Sequence, residues 1–375
     1  MKTVRLIFIF FSMLTACYEL YDADIEADEK VLTVDGLITD DVASYYIRLN
    51  YARPFDSYST REPVSSARVF ITDDLGRYYQ FREVKNGIYR SDSLLFTGMP
   101  GRTYVLEIAA PDGEIYRSAP QKLMKANPEM SVYADYDFKE ILSTFTGTVQ
   151  RGYGADIKVD LSSQKDPLPH FRITSDLVKQ YFYALEIPPP FIYPPLYSFY
   201  CWQTDKANPE INLTEYESLI SFASVKRHEV CFIDDQYFFE GLVYSIGPRK
   251  PDGSYIGDAS TERETYTVSK RILYLNRYTL NNDSYLYYKN MDEQLRSEGR
   301  LFDPISVQLK GNIACMTREG KKAFGFFEAS SVSHSSYTVG FRNTENQYSI
   351  KEIQYLTPPV RNGCWINKVP PFWIY

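Results

Sequence analysis

The sequence predicts a mainly β protein of two β-sandwich-like domains, the second carrying one amphipathic helix at about 281–298. Three observations predict it. Of 375 residues, 33 are Tyr and 23 are Phe, and both types favour strands. Short alternating segments recur between Gly, Pro, Asn and Asp turn signals. A single late stretch abandons alternation for helical spacing.

The chain opens with MKTVRLIFIFFSMLTAC over residues 1–17. Lys2 and Arg5 precede an apolar run from Leu6 to Leu14, broken only by Ser12. That run is too short to span ~30 Å of hydrocarbon as a helix. It ends in Leu14-Thr15-Ala16-Cys17, a small-residue cleavage site closing on Cys. The pattern resembles a bacterial lipobox, with residues 1–16 as a lipoprotein signal peptide and Cys17 as the acylated first residue. Each buried methylene contributes ~0.8 kcal/mol, so several acyl chains hold a protein firmly on a membrane. The plainer alternative is a secretory signal with an incidental Cys. Residues 17–29 carry Glu19, Asp22, Asp24, Glu26, Asp28 and Glu29 without a period, which reads as a solvated acidic tether. Acidic residues in this place also resemble a surface-export signal of Bacteroidota lipoproteins.

Residues 30–125 form the first predicted domain. Segments 31–38 and 44–49 alternate around Asp40-Asp41, with Tyr45, Ile47 and Leu49 opposite Tyr46 and Arg48. Strand 67–72 turns at Asp73-Asp74-Leu75-Gly76 into 77–82. Asn86-Gly87 favours a tight turn before 88–90. Pro100-Gly101 leads into 103–109, and Pro111-Asp112-Gly113 into 114–118. Short strands at this spacing suggest a sandwich. The block from Pro63 to Ile108 resembles the transthyretin-like, carboxypeptidase-regulatory type of β-sandwich. That pattern usually has Gly where Ser66 stands. The resemblance implies a spacer or contact module.

Residues 126–375 form the second, starting at Ala126-Asn127-Pro128. Strands are expected at 155–161, 171–174, 178–187, 236–246 and 265–275. From Leu280 onward Asn282 or Asp283 can cap a helix, Tyr285, Tyr288, Met291 and Leu295 recur at helical spacing, and Gly299 ends it. An amphipathic helix packed on a sheet is the expected role.

Net charge is −7, so no basic excess exists to neutralise phosphates, and no nucleic-acid partner is expected. His170, His228 and His334 fall in no metal or base motif. No nucleophile elbow, P-loop or EF-hand loop occurs. Gly152-Tyr153-Gly154 opens like a dinucleotide fingerprint, but Ile157 takes the third Gly position. Asp234-Asp235 and Asp135/Asp137 are the acidic pairs that acid–base chemistry or Ca²⁺ would use, and solvated surface acids are the commoner reading. No cofactor, metal or catalytic residue is expected. Beyond the inner membrane Cys201, Cys231, Cys315 and Cys364 are disulfide candidates, in any of three pairings.

The most distinctive segment spans residues 186–202, with five Pro among aromatic residues. Proline forbids helix and disfavours an interior strand, so an extended polyproline course is expected. Phe191, Tyr193, Tyr197, Tyr200 and Trp202 are the candidate binding residues, since rigid rings on a stiff backbone lose little entropy on contact. The alternative is that the rings fold back onto the β core.

Taken together, Leu32-Thr33-Val34-Asp35-Gly36-Leu37-Ile38-Thr39, the 63–108 block, Tyr285-Leu286-Tyr287-Tyr288 with Phe302-Asp303-Pro304, Gly311-Asn312-Ile313 with Gly325-Phe326-Phe327, and Pro370-Pro371-Phe372-Trp373 resemble one family. These are Bacteroidota outer-membrane lipoproteins of unknown function, usually encoded beside a TonB-dependent receptor. Members often carry two closely spaced Cys before the tail. Here Cys364 stands alone, which points to Cys201 or Cys231 as its mate. The resemblance implies a lipid-anchored accessory or binding protein without catalysis. Its partners would be the outer membrane and a TonB-dependent β-barrel receptor. Its place would be the outer membrane, on the cell surface or the periplasmic face. A stand-alone surface glycan or peptide binder is the alternative, and a surface hydrolase the third reading.

Overall fold

A computed structural model describes residues 30–52, 62–92, 95–125, 129–142, 149–162, 169–186, 197–207, 211–214, 224–234, 244–245, 263–296, 309–342 and 348–349. Among them the protein is mainly β, with one helix. The first unit opens with β1 (Val31–Ile38), β2 (Tyr46–Ala52), β3 (Glu62–Pro63), β4 (Arg68–Asp73) and β5 (Tyr78–Lys85). It continues with β6 (Ile88–Arg90), β7 (Thr103–Ala109), β8 (Ile115–Ser118) and β9 (Gln121–Lys122). Longer strands follow: β10 (Glu129–Leu142), β11 (Val149–Ser162), β12 (His170–Glu186) and β13 (Tyr197–Lys206). Then come β14 (Asn212–Leu213), β15 (Ser224–Asp234), β16 (Tyr244–Ser245) and β17 (Arg263–Leu280). Helix α1 (Asn282–Arg296) precedes β18 (Ile313–Cys315), β19 (Ala323–Ala329), β20 (Ser331–Thr338), β21 (Phe341–Arg342) and β22 (Tyr348–Ser349).

Alternation builds the first unit as the sequence predicts. On β2, Ile47 and Leu49 are fully buried while Tyr46 and Arg48 face solvent. The same parity buries Val69 and Ile71 on β4, and Leu106 and Ile108 on β7, into one core. Ser66 explains the departure from the transthyretin-like pattern. Its φ is 63°, a left-handed conformation that favours Gly. Its N–H donates to the Glu83 carboxylate at 2.9 Å, and the same carboxylate accepts from Gly87 N at 3.2 Å. That local anchoring offsets the strain of a side chain at positive φ.

The first sheet has the order β18-β8-β7-β4-β5-β6-β2-β1-β19, so strands from far along the chain lie at both of its ends. β19 runs parallel to β1, with Val34 opposite Gly325 and Gly36 opposite Phe327. β18 pairs antiparallel with β8. The sequence reading assigns these residues to the second domain, whereas the chain returns here to the first sheet. The closure needs glycine: a Cβ on Gly311 would stand 1.9 Å from Gly325 O, and one on Gly325 1.8 Å from Val34 O. Asn312 acts as a one-residue strand, donating to Phe327 O at 2.8 Å and accepting from Phe327 N at 2.9 Å.

The second unit stacks the sheet β10-β11-β15 on the sheet β13-β12-β17-β16, with β20 beside β17 and β14 beside β12. Between them lie Ala155, Ile157, Val159 and Leu161 against Phe171, Ile173, Leu177, Leu273 and Leu275. Tyr136 Oη accepts from Gly340 N at 3.1 Å and ties the β10-β11-β15 sheet to the chain after β20, so the arrangement approaches a barrel. Segments 171–174 and 178–187, read as two strands, form one strand of 17 residues. Ser175 takes an inward place and Asp176 an outward one paired with Lys206, so alternation runs through them to Leu177. Of the predicted strand 236–246, only Tyr244–Ser245 falls among the described residues. The helix Asn282–Arg296 falls within the predicted 281–298, and Asn281 Oδ1 accepts from Ser284 N at 2.8 Å, so Asn281 is the cap rather than Asn282 or Asp283.

Candidate functional site

Of the aromatic candidates, Phe191 and Tyr193 lie outside the described residues, as do Cys17 and Cys364. Tyr197 and Tyr200 belong to β13, opposite Leu185 and Phe182 of β12. From Tyr197 on, the extended polyproline course predicted up to Trp202 gives way to a paired strand, and the part of the segment before Tyr197 lies outside the described residues. Proline ends at position 195, so nothing beyond it removes a ladder donor. Trp202 is 6% exposed and packs on Val178 and Ile272. Its ring takes the alternative course, folding onto the sheet. The Pro-rich segment is thus the connection of a long β12–β13 hairpin.

The interior of the second unit ends, at its far mouth, in exposed rings. Phe138 and Tyr153 continue the inward parity of β10 and β11, yet each is almost half exposed. They meet edge to face with centroids 5.0 Å apart.

Titratable candidates are spoken for. Asp135 accepts from Lys158 at 2.8 Å and Arg227 at 2.7 Å, and these bonds hold its carboxyl below the usual range. A carboxylate held ionised is a poor general acid. Asp137 accepts from its neighbour Phe138 N. Asp235 lies outside the described residues, as does the side chain of Asp234. His170 stacks on Tyr285 with centroids 3.6 Å apart, and burial pushes its pKa down. His228 bonds Asn212 at 2.8 Å, and His334 sits 2.7 Å from both Asn276 and Asp41. Among the described residues no group of three or more His, Cys, Asp or Glu is placed to hold a metal ion. Cys231 and Cys315 are free thiols, the first in the core of the second unit and the second beside Glu114 and Thr317. The side chain of Cys201 lies outside the described residues.

The most elaborate constellation is one the sequence reading missed. It lies at the seam where β19, β12 and α1 meet. Glu328, 1% exposed, accepts from Arg172 Nη2 at 3.1 Å, from Tyr288 Oη at 2.5 Å and from Ser330 Oγ at 2.6 Å. The Arg172 guanidinium lies between the rings of Tyr278 and Tyr288, at 4.3 and 4.4 Å. Burial pulls Arg172 down, but the Glu328 carboxylate overrules it and holds the cation above its ordinary pKa. Burial and Glu328 raise Tyr288, which stays a neutral donor. Glu328 is buried and its carboxylate is engaged by Arg172, Tyr288 and Ser330, so the constellation locks the two units together. Tyr287 stacks on Phe326 at 4.4 Å, and Asn281 Nδ2 donates to Gln121 Oε1 at 2.9 Å, so α1 grips both units. The available signal was a lone Glu inside the apolar run Ala323–Ala329.

The separate sequence motifs thus converge. Val34-Asp35-Gly36 lies against Gly325-Phe326-Phe327, Asn312 clamps Phe327, and Tyr287 and Tyr288 cover the pair. No curated protein and no solved structure matches the chain. The model of the family described as "Domain of unknown function (DUF4249)" matches residues 18–336, most of the length over which those motifs are spread, and the chain belongs to that family.

Proposed function

We propose that this protein is a lipid-anchored accessory or binding protein of the outer membrane, partnering a TonB-dependent receptor in uptake or surface assembly. The lipobox ending at Cys17 and the acidic tether support the anchor. The observation that carries the reading is where the two ends of interest leave the fold. The tether leads into β1 at Val31, six residues before Leu37, which pairs with Glu328 of the seam. The Pro-rich segment joins Glu186 to Tyr197, and β12 runs to Glu186 for roughly 48 Å beyond Arg172 of the seam. A tether leading into one strand of the seam and a Pro-rich segment following a strand that runs far beyond it would suit a protein that reaches a partner while tied to a membrane.

Affinity isolation of the full chain from gently solubilised membranes should recover a β-barrel transporter. Repeated isolation of the protein alone overturns the partnership. The exposed Phe138–Tyr153 pair favours a second reading, a stand-alone surface glycan or peptide binder. Calorimetry against candidate sugars and peptides, with Tyr153→Ala and Tyr193→Ala silent, removes it.

A further inference from the structure

Three buried arginines solve one physical problem in different ways. A guanidinium taken out of water is costly unless it is paired and hydrogen-bonded. Arg172 is paired by Glu328. Arg271 donates to the Gly340 carbonyl. Arg277 is 2% exposed and lies over the face of Phe171, 5.3 Å from its guanidinium carbon. Among the described residues its Nε and Nη1 have no hydrogen-bond partner. Burial pulls its pKa down to about 10, and among the described residues no neighbouring anion restores it.

The surroundings of Arg277 are polar in an otherwise apolar interior. Thr279, two residues along the same face of β17, is fully buried, and its hydroxyl also lacks a partner. Across the ladder on β20, Ser333 lies opposite Arg277 and Ser331 opposite Thr279. Ser331 already donates to Met124 O at 2.5 Å. Ser333 is partly exposed, so solvent is one side chain away from the guanidinium. A buried cation and a buried hydroxyl on one strand face, each with unsatisfied polar atoms among the described residues, match a receptor for negative oxygen.

We propose that Arg277 anchors an oxyanion-binding site inside the second unit, taking a carboxylate or phosphate group with the Thr279 and Ser333 hydroxyls as further partners. The site stands independently of any receptor partnership. A ligand of this kind supplies the missing counter-charge and stabilises the folded state by mass action.

The test is thermal unfolding of the full chain in detergent, with sodium acetate or sodium phosphate against sodium chloride at matched ionic strength. At saturation at least one oxyanion should raise Tm by about 4 °C. A response to acetate alone assigns a carboxylate ligand, and one to phosphate alone a phosphate ester. Arg277→Met should melt higher than the parent in chloride and lose the response, because it removes an unpaired buried charge while filling similar volume. Thr279→Val should at least halve the response, and it decides the matter should Arg277→Met fail to fold. A parent chain indifferent to both anions overturns the proposal. So does an Arg277→Met chain that responds as the parent does, or a Thr279→Val chain with an undiminished response.

Discussion

Removing the Glu328 carboxylate should loosen the seam more than any exposed ion pair could. In Glu328→Ala, Arg172 keeps its place between Tyr278 and Tyr288 but loses its counter-ion, and the Tyr288 and Ser330 hydroxyls lose their acceptor. Breaking a buried pair by deleting one partner costs about 3–5 kcal/mol. Two stranded neutral donors add about 1 kcal/mol each where water cannot reach them. The total, about 5–7 kcal/mol, rivals the stability of many whole domains. At about 2 °C per kcal/mol for a chain of this size, Tm should fall by about 10–14 °C. Arg172→Met in the Glu328→Ala background should recover part of that loss, because the stranded cation leaves with it. The assay is urea and thermal unfolding of both single variants and the double variant. A coupling free energy of at least about 2 kcal/mol is expected. Strict additivity, or a single-variant loss under about 1 kcal/mol, would refute the reasoning, because it would mean that water already screens the pair.

Gly311→Ala should cost more than about 3 kcal/mol, since its Cβ would stand 1.9 Å from the Gly325 carbonyl, a backbone atom that cannot turn aside. Gly113→Ala should cost only about 1–2 kcal/mol, for a φ of 90° in open space, and denaturant midpoints separate the two. Burial raises the Asp73 carboxyl, but the Arg77 and Leu75 N–H groups and Arg102 outweigh it, so its folded pKa lies below normal. Its contribution is therefore present above the ordinary carboxylate range and is lost as pH falls through the folded value. The Tm gap between the parent and Asp73→Asn should be open at neutral pH and close in strong acid. Cys231 and Cys315 are both partly exposed, but burial pushes the Cys231 thiol to about 12, so maleimide should label Cys315 much faster than Cys231 in the native state and both alike once the chain unfolds, as read by peptide mass spectrometry.

Local order was legible in the residues themselves. Period-two alternation placed Ile47 and Leu49 inside and Arg48 outside. Asn86-Gly87 announced its turn, with Gly87 at φ 71°, and Tyr285 began a helix face that does pack. Each of these rests on the geometry of a few consecutive residues, which any chain carries with it. Partnership is different. Arg172 and Glu328 are 156 residues apart, and only the return of β19 to β1 makes a lone Glu the keystone of a seam. Trp202 looked like an exposed binding ring until the strand after Pro195 turned it onto Val178. Arg277 and Arg172 both sit in alternating strands, and no local pattern says which of them meets an anion. Composition and spacing determined the β class, the turns and the helix. The fold alone decided which buried charges are satisfied, because the cost of burial depends on what arrives from elsewhere in the chain.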